Sequence, residues 1–153
     1  MALLELSGTP ERPKQSGDLI HIASETDREF IMDLVREMYP AKDVDRSVPW
    51  VEWCLKNPDH LVLVGDNSFG IARAEWVYGF ERLGTLLILC SRGRNLEALR
   101  MVRKMIAWSK TRGCSDFRID ANTGVDFASF AKRLGGHRQT VLRYDIPLGD
   151  THV

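Results

Sequence analysis

The residues with the clearest chemical purpose lie around position 90. Leu86-Leu87-Ile88-Leu89-Cys90 is apolar throughout and runs directly into Ser91-Arg92-Gly93-Arg94-Asn95, after which Leu96, Leu99, Val102, Met105 and Ile106 recur at helical spacing. A buried strand that feeds a short basic loop and then a helix leaves the first N–H groups of that helix unpaired, and the helix dipole adds positive potential at the same point. This is the chemistry of an anion site, with phosphate the natural guest. Gly93 allows a close backbone approach, and Arg92 and Arg94 supply charge to pair with it. The plainer alternative is a well-capped helix behind a solvated basic turn, since a lone loop glycine is a weak motif.

The charge distribution singles out the same stretch. The chain of 153 residues carries 21 basic and 21 acidic side chains, yet residues 1–91 hold nine basic and fifteen acidic (net −6) and residues 92–118 hold eight basic and two acidic (net +6). Zero net charge argues against a whole-protein grip on nucleic acid or an anionic membrane, because that grip scales with excess Lys and Arg. The local excess, including Arg100, Arg103, Lys104 and Arg118, is either a phosphate-facing patch or a solvated helix face.

Other groups offer acid–base chemistry. Glu75, within Arg73-Ala74-Glu75-Trp76, Glu81 in the following turn and Asp120 at the end of a strand are carboxylates able to take a proton. Ser91 could donate a hydrogen bond at the mouth of the apolar strand. Each also has an ordinary reading, an exposed strand carboxylate or a turn serine. His21, His60, His137 and His152 share no ligand spacing, so no metal is expected. Cys54, Cys90 and Cys114 are odd in number and far apart, which suits small core residues rather than disulfides.

These groups need elements to hold them. Residues 1–17 hold Gly8, Pro10, Pro13 and Gly17 among charges and read as a flexible arm. Leu19–Ala23 suits a strand. Thr26 and Glu29 form a capping box ahead of a helix over 27–38, and 41–46 reads as a polar loop before a second helix that opens at Ser47 and carries Trp50, Trp53 and Cys54 on one face. His60–Gly65 and Phe69–Val77 form a hairpin about Asp66-Asn67, and Gly79–Gly84 turns the chain into the apolar strand Thr85–Cys90. After the helix from Asn95 to Gly113 come a strand over Asp116–Asp120, a helix closed by Gly135-Gly136, and a strand over Thr140–Ile146. The order predicts one α/β (α+β) domain over 18–148, with a mixed central sheet of about six strands flanked by about four helices, and a tail over 149–153.

The element order over 18–146 and the junction at Arg92 together resemble the GNAT superfamily of acyl-CoA-dependent N-acyltransferases. In that family a central strand leads into an Arg/Gln-x-x-Gly-x-Gly/Ala loop that binds the coenzyme A pyrophosphate, and Arg92-Gly93-Arg94-Asn95-Leu96-Glu97 stands in that place. Asn95 and Glu97 replace the two glycines. The family also often ends its next helix in an aromatic-Tyr-x-Lys-Leu-Gly-Phe pattern, matched here by Phe130, Leu134 and Gly135, with Ala131 where the acidic Tyr would stand. The resemblance implies acetyl-CoA as co-substrate, held by Leu89, Cys90, Arg92, Gly93, Arg94 and Asn95. It implies a small-molecule or protein amine as acceptor, with Glu75 and Ser91 as catalytic groups. The departures at Asn95, Glu97 and Ala131 motivate an alternative, a catalytically degenerate GNAT-fold binding or assembly protein.

No apolar run approaches the roughly 20 residues of a membrane span. The patch Ala2–Leu6 is interrupted by Glu5 and has no basic leader. A cytoplasmic protein, monomeric or homodimeric, is the expectation, with nucleic acid an unfavoured partner.

Overall fold

The computed structural model describes residues 3–5, 20–93, 95–120, 128–139 and 146. Their strands are β1 (Leu3–Glu5), β2 (His21–Ile22), β3 (His60–Val64), β4 (Ser68–Val77), β5 (Glu81–Ser91) and β6 (Asp116–Ile119). The helices are α1 (Arg28–Met38), α2 (Ala41–Lys56), α3 (Asn95–Thr111) and α4 (Ala128–Arg133). The expected mixed α/β domain is present. All six strands join one sheet in the order β1-β5-β4-β3-β2, with β6 also on β5.

Alternation along the strands builds two cores. Val62 and Val64 of β3, Phe69 and Ile71 of β4, and Ile88 and Cys90 of β5 face α1 and α2, meeting Ile31, Leu34, Val35, Val51 and Cys54. Leu61, Leu63, Ala72, Leu86 and Leu89 face the other way and meet Ala98, Met101, Val102 and Met105 of α3. Phe130 and Leu134 pack against the margin of this second core. α3 sits close because two glycines leave it room. A methyl on Gly70 would lie 2.7 Å from Met105 Cε, and one on Gly84 would lie 2.7 Å from Phe117 and closer still to Ser109. Gly84 is thus a strand residue, and the chain reverses earlier than the Gly79–Gly84 expected, at Tyr78 and Gly79 with positive φ.

Pairing on β5 defines the region that matters. β4 runs antiparallel along it from Glu81 to Ser91, with a bulge where Ile71 faces Ile88 but Ala72 faces Leu86. Leu87 is the extra residue, so Leu87 and Ile88 both turn toward the α1/α2 core while Leu86 and Leu89 face α3. On the opposite edge β6 runs parallel to β5 only over Leu83–Leu86. Beyond that point the same edge is taken, at Leu89–Ser91, by β1, also parallel. The flexible arm expected over 1–17 therefore does not hold for Leu3–Glu5, because the apolar Leu3-Leu4 pair meets an unpaired strand edge before the glycines and prolines begin.

Other boundaries move for local reasons. The capping box is Ser24 with Asp27, not Thr26 with Glu29, and closes a short 3-10 turn ahead of α1. Although burial raises its pKa, the N–H of Ser24 (3.0 Å) and the His21 ring (2.9 Å) hold the Asp27 carboxyl below its ordinary value. α2 opens at Ala41, since Pro40 supplies an extended start and Ser47 bonds back to the Asp43 carbonyl at 2.8 Å. Pro49 lies inside this helix on an exposed position, at the loss of one N–H. The expected strand over Thr140–Ile146 falls, apart from Ile146, outside the described residues.

Candidate functional site

β5 delivers the chain to the basic loop as expected. Gly93 takes φ of +101°, a left-handed conformation that disfavours any side chain, and α3 opens two residues later at Asn95. The loop is stapled to the β3–β4 turn by the Arg92 N–H, which donates to the Asn67 carbonyl at 2.7 Å. Arg94 lies outside the described residues.

Two charged residues point elsewhere than a phosphate-binding loop would predict. The Arg92 guanidinium lies against Glu37 of α1, with Nε 3.0 Å from one carboxylate oxygen and a second contact through Nη2, and it stacks over Phe30 at 5.8 Å. Its positive charge is thereby engaged within the fold, and nothing local in the sequence links it to a residue 55 positions away. Glu97 turns back over the β3–β4 turn, where its carboxylate accepts the N–H of Asp66 (3.2 Å), the N–H of Asn67 (3.1 Å) and the Ser68 hydroxyl. The acid at the place least suited to one in a phosphate loop is therefore a brace for a neighbouring turn. The rest of the basic stretch is partly spent too: Lys104 donates to the Ile20 carbonyl at 3.2 Å and Arg112 pairs with Asp59 at 2.9 Å. Arg100, Arg103 and Arg118 are exposed.

The remaining site candidates separate into two places. Leu89 and Cys90 lie in the half of β5 that β6 has left, and Ser91 ends that half, buried, level with Ser68 on one side and Glu5 on the other. Glu75 pairs in register with Leu83 at the far end of β5. Eight residues separate Leu83 from Ser91, about 26 Å along a strand. Glu75 and Ser91 therefore cannot act on one reacting atom. Glu75 is nearer the bulge, about 10 Å along the strand from Leu86.

Glu75 opens onto a cleft of about 280 Å³ lined by Trp53, Asn57, Asp59, His60, Arg73, Trp76 and Arg82. Its carboxylate lies 2.8 Å from Arg73, and Asp59 lies 3.1 Å from Arg82. Trp53 and Trp76 are exposed rather than buried in the core, and Trp53 meets the His60 ring edge-on at 4.9 Å. Burial, helped by Arg73, lowers the His60 pKa and disfavours the protonated ring. This cleft draws residues from α2, β3, β4 and β5, so single-segment patterns did not reveal it. Glu81 is engaged by Ser115 at 3.0 Å, and Asp120 is exposed after β6. Among the described residues no group of three His, Cys, Asp or Glu side chains could hold a metal, and no helix is long and apolar enough to cross a membrane.

Solved structures decide what this architecture is. The aminoglycoside 6'-N-acetyltransferase AAC(6')-Ih from Acinetobacter baumannii superposes with a TM-score of 0.67 at 19% identity, covering 85% of this chain and 98% of its own. AAC(6')-Iy in complex with CoA does so with a TM-score of 0.70 at 16% identity, covering 90% and 99%. Glucosamine-6-phosphate N-acetyltransferase from Arabidopsis thaliana gives 0.61 at 14%, covering 83% and 96%. The chain has the GNAT fold. No protein-family model and no curated protein matches the sequence.

On the GNAT plan β5 is the central strand, 91–95 the junction after it, and α3 the helix whose start faces that junction. Gly135, with φ of +77°, stops α4, and Ala131 within α4 offers no phenol.

Proposed function

We propose that the chain is an N-acyltransferase that takes an acyl group from an acyl-coenzyme A, acetyl-CoA first among them, and passes it to an amine. The observation that carries this reading is that β6 ends its pairing with β5 at Leu86, next to a bulge and a few residues before Gly93 and the start of α3. An extended donor fits such an edge in place of β1, with its phosphates at the N–H groups that open α3. Glu97, turned away onto Asp66 and Asn67, adds no carboxylate to that place.

The chemistry asks little of side chains. The neutral amine attacks the thioester carbonyl, the C–S bond breaks, and the products are an amide and a thiol. Backbone N–H groups at the bulge stabilise the oxyanion that forms on the carbonyl oxygen. Glu75 receives the amine proton through water, since it stands about 10 Å from the bulge. The acceptor enters from the cleft walled by Trp53 and Trp76. With Ala131 in α4, the departing thiolate takes its proton from water. Ser91 is too far from Glu75 to share this step and lies beside the phosphate-binding end.

Calorimetric titration with coenzyme A and acetyl-CoA tests the donor, and thiol release from acetyl-CoA in the presence of amines tests the transfer. Binding with amine-dependent thiol release is the expected result. No binding of either compound at millimolar concentration sinks the proposal. Ala131 and the pairing of Arg92 with Glu37 favour the second reading, a binding module of the same fold; binding without thiol release across an amine panel would establish it.

A further inference from the structure

We propose that Leu3–Glu5 is an internal occupant of the donor slot, a strand that must leave β5 before an extended ligand can pair there. This inference rests on the donor reading above and concerns how that same site is controlled. β4 covers one edge of β5 from Glu81 to Ser91. Only the other edge remains for a ligand, and β6 leaves it at Leu86. The register then puts Leu3 level with Leu89, Leu4 with Cys90 and Glu5 with Ser91. An amide-bearing chain binds such an edge by adding itself as a strand. The pantetheine arm of coenzyme A carries two amides and would use the same N–H and C=O groups of β5. Both cannot be seated together.

The occupant is suited to leaving. It is held by three residue pairs, whereas β4 and β5 share ten. Such a short edge strand opens at low cost compared with the rest of the sheet. Gly8, Pro10 and Pro13 lie just beyond it in the sequence and work against a longer ladder. The register also sets an acidic residue, Glu5, level with Ser91, where the anion-binding loop begins. A chain whose competent state is only fractionally populated binds its ligand more weakly by that fraction.

The test uses the full chain and the double substitution Leu3→Pro with Leu4→Pro. Successive strand residues present their N–H to opposite edges, so one of the two prolines removes a bond to β5 whichever way the strand is turned. Hydrogen exchange at the Leu89–Ser91 amides and calorimetric titration with coenzyme A are measured for both chains. The expected result is faster exchange at those amides together with about tenfold tighter coenzyme A binding. A synthetic peptide of residues 1–8 should then weaken binding competitively. Unchanged exchange overturns the seating of the strand. Faster exchange with unchanged affinity overturns the competition while leaving the donor reading intact. If neither chain binds coenzyme A, the donor reading fails and the competition with it, while the exchange result still decides whether the strand is seated.

Discussion

The carboxylate of Glu97, in the first turn of α3, accepts the backbone N–H of Asn67 at 3.1 Å, tying the helix that follows β5 to the turn that precedes β4. The same carboxylate takes the Asp66 N–H and the Ser68 hydroxyl, and Ser68 is fully buried. Removing it leaves three donors without their partner. Glu97→Ala is expected to cost about 1–3 kcal/mol in urea unfolding, the usual penalty for unsatisfied buried groups. Glu97→Gly should cost more, by the poorer helix propensity of glycine. Restoring the family's glycine here should not tighten coenzyme A binding, and a tighter Glu97→Gly variant would contradict this account.

Arg92 and Glu37 form a two-pronged pair that joins the loop after β5 to α1. Lysine has no planar fork, so Arg92→Lys should recover only part of the stability lost in Arg92→Ala. That loss is expected at about 1–3 kcal/mol, and a double-mutant cycle with Glu37→Gln reads the coupling directly.

Burial pushes the thiol of Cys54 up to about 11 and that of Cys90 up to about 12. The thiolate is the reactive form, so neither should label with iodoacetamide at pH 8 in the folded protein. Cys114 is partly exposed and should label first. Prompt labelling of Cys90 would mean that the α1/α2 core opens at that end of β5.

The lowered pKa of His60 fixes the sign of a pH effect. Its folded value lies below its ordinary one, so its contribution to stability is complete above about pH 6.5 and is lost as the pH falls and the ring must take up a proton. Unfolding midpoints measured from pH 7 to pH 5 should therefore decline, and His60→Phe should decline less. Parallel slopes for the two chains would remove His60 from the explanation.

Gly84 meets Phe117 and Ser109 where a side chain would have to go. Gly84→Ala should lower stability by about 1–3 kcal/mol through overpacking, and pairing it with Ser109→Gly should return part of that loss.

The elements that position the site were legible where one segment carries its own signal. The apolar run through Cys90, the basic turn and the period of α3 announced the strand, the loop and the helix, and the solved structures bear out the GNAT fold read from their order. What could not be read depends on residues far apart in the chain. Arg92 looked like a phosphate ligand because its partner, Glu37, sits far away on α1, and Glu97 looked misplaced because the N–H groups it satisfies belong to a distant turn. The strand at Leu3–Glu5 was hidden by its neighbours, since the glycines and prolines that follow dominate the composition of the segment. Glu75 and Ser91 were read from their residue types alone, and only the register along β5, with Glu75 level with Leu83, shows how far apart they stand.

Since Gly70 and Gly84 leave no space even for a methyl beneath α3, the helix cannot ride up or slide on the sheet without losing the contacts that Met101, Met105 and Ser109 make there. Its first turn is anchored independently, through Glu97, to the β3–β4 turn. The N–H groups that open α3 are therefore aimed before any anion arrives. On the donor reading proposed above, phosphates at that end meet a fixture already in place, so the cost of making room falls on the Leu3–Glu5 strand rather than on α3.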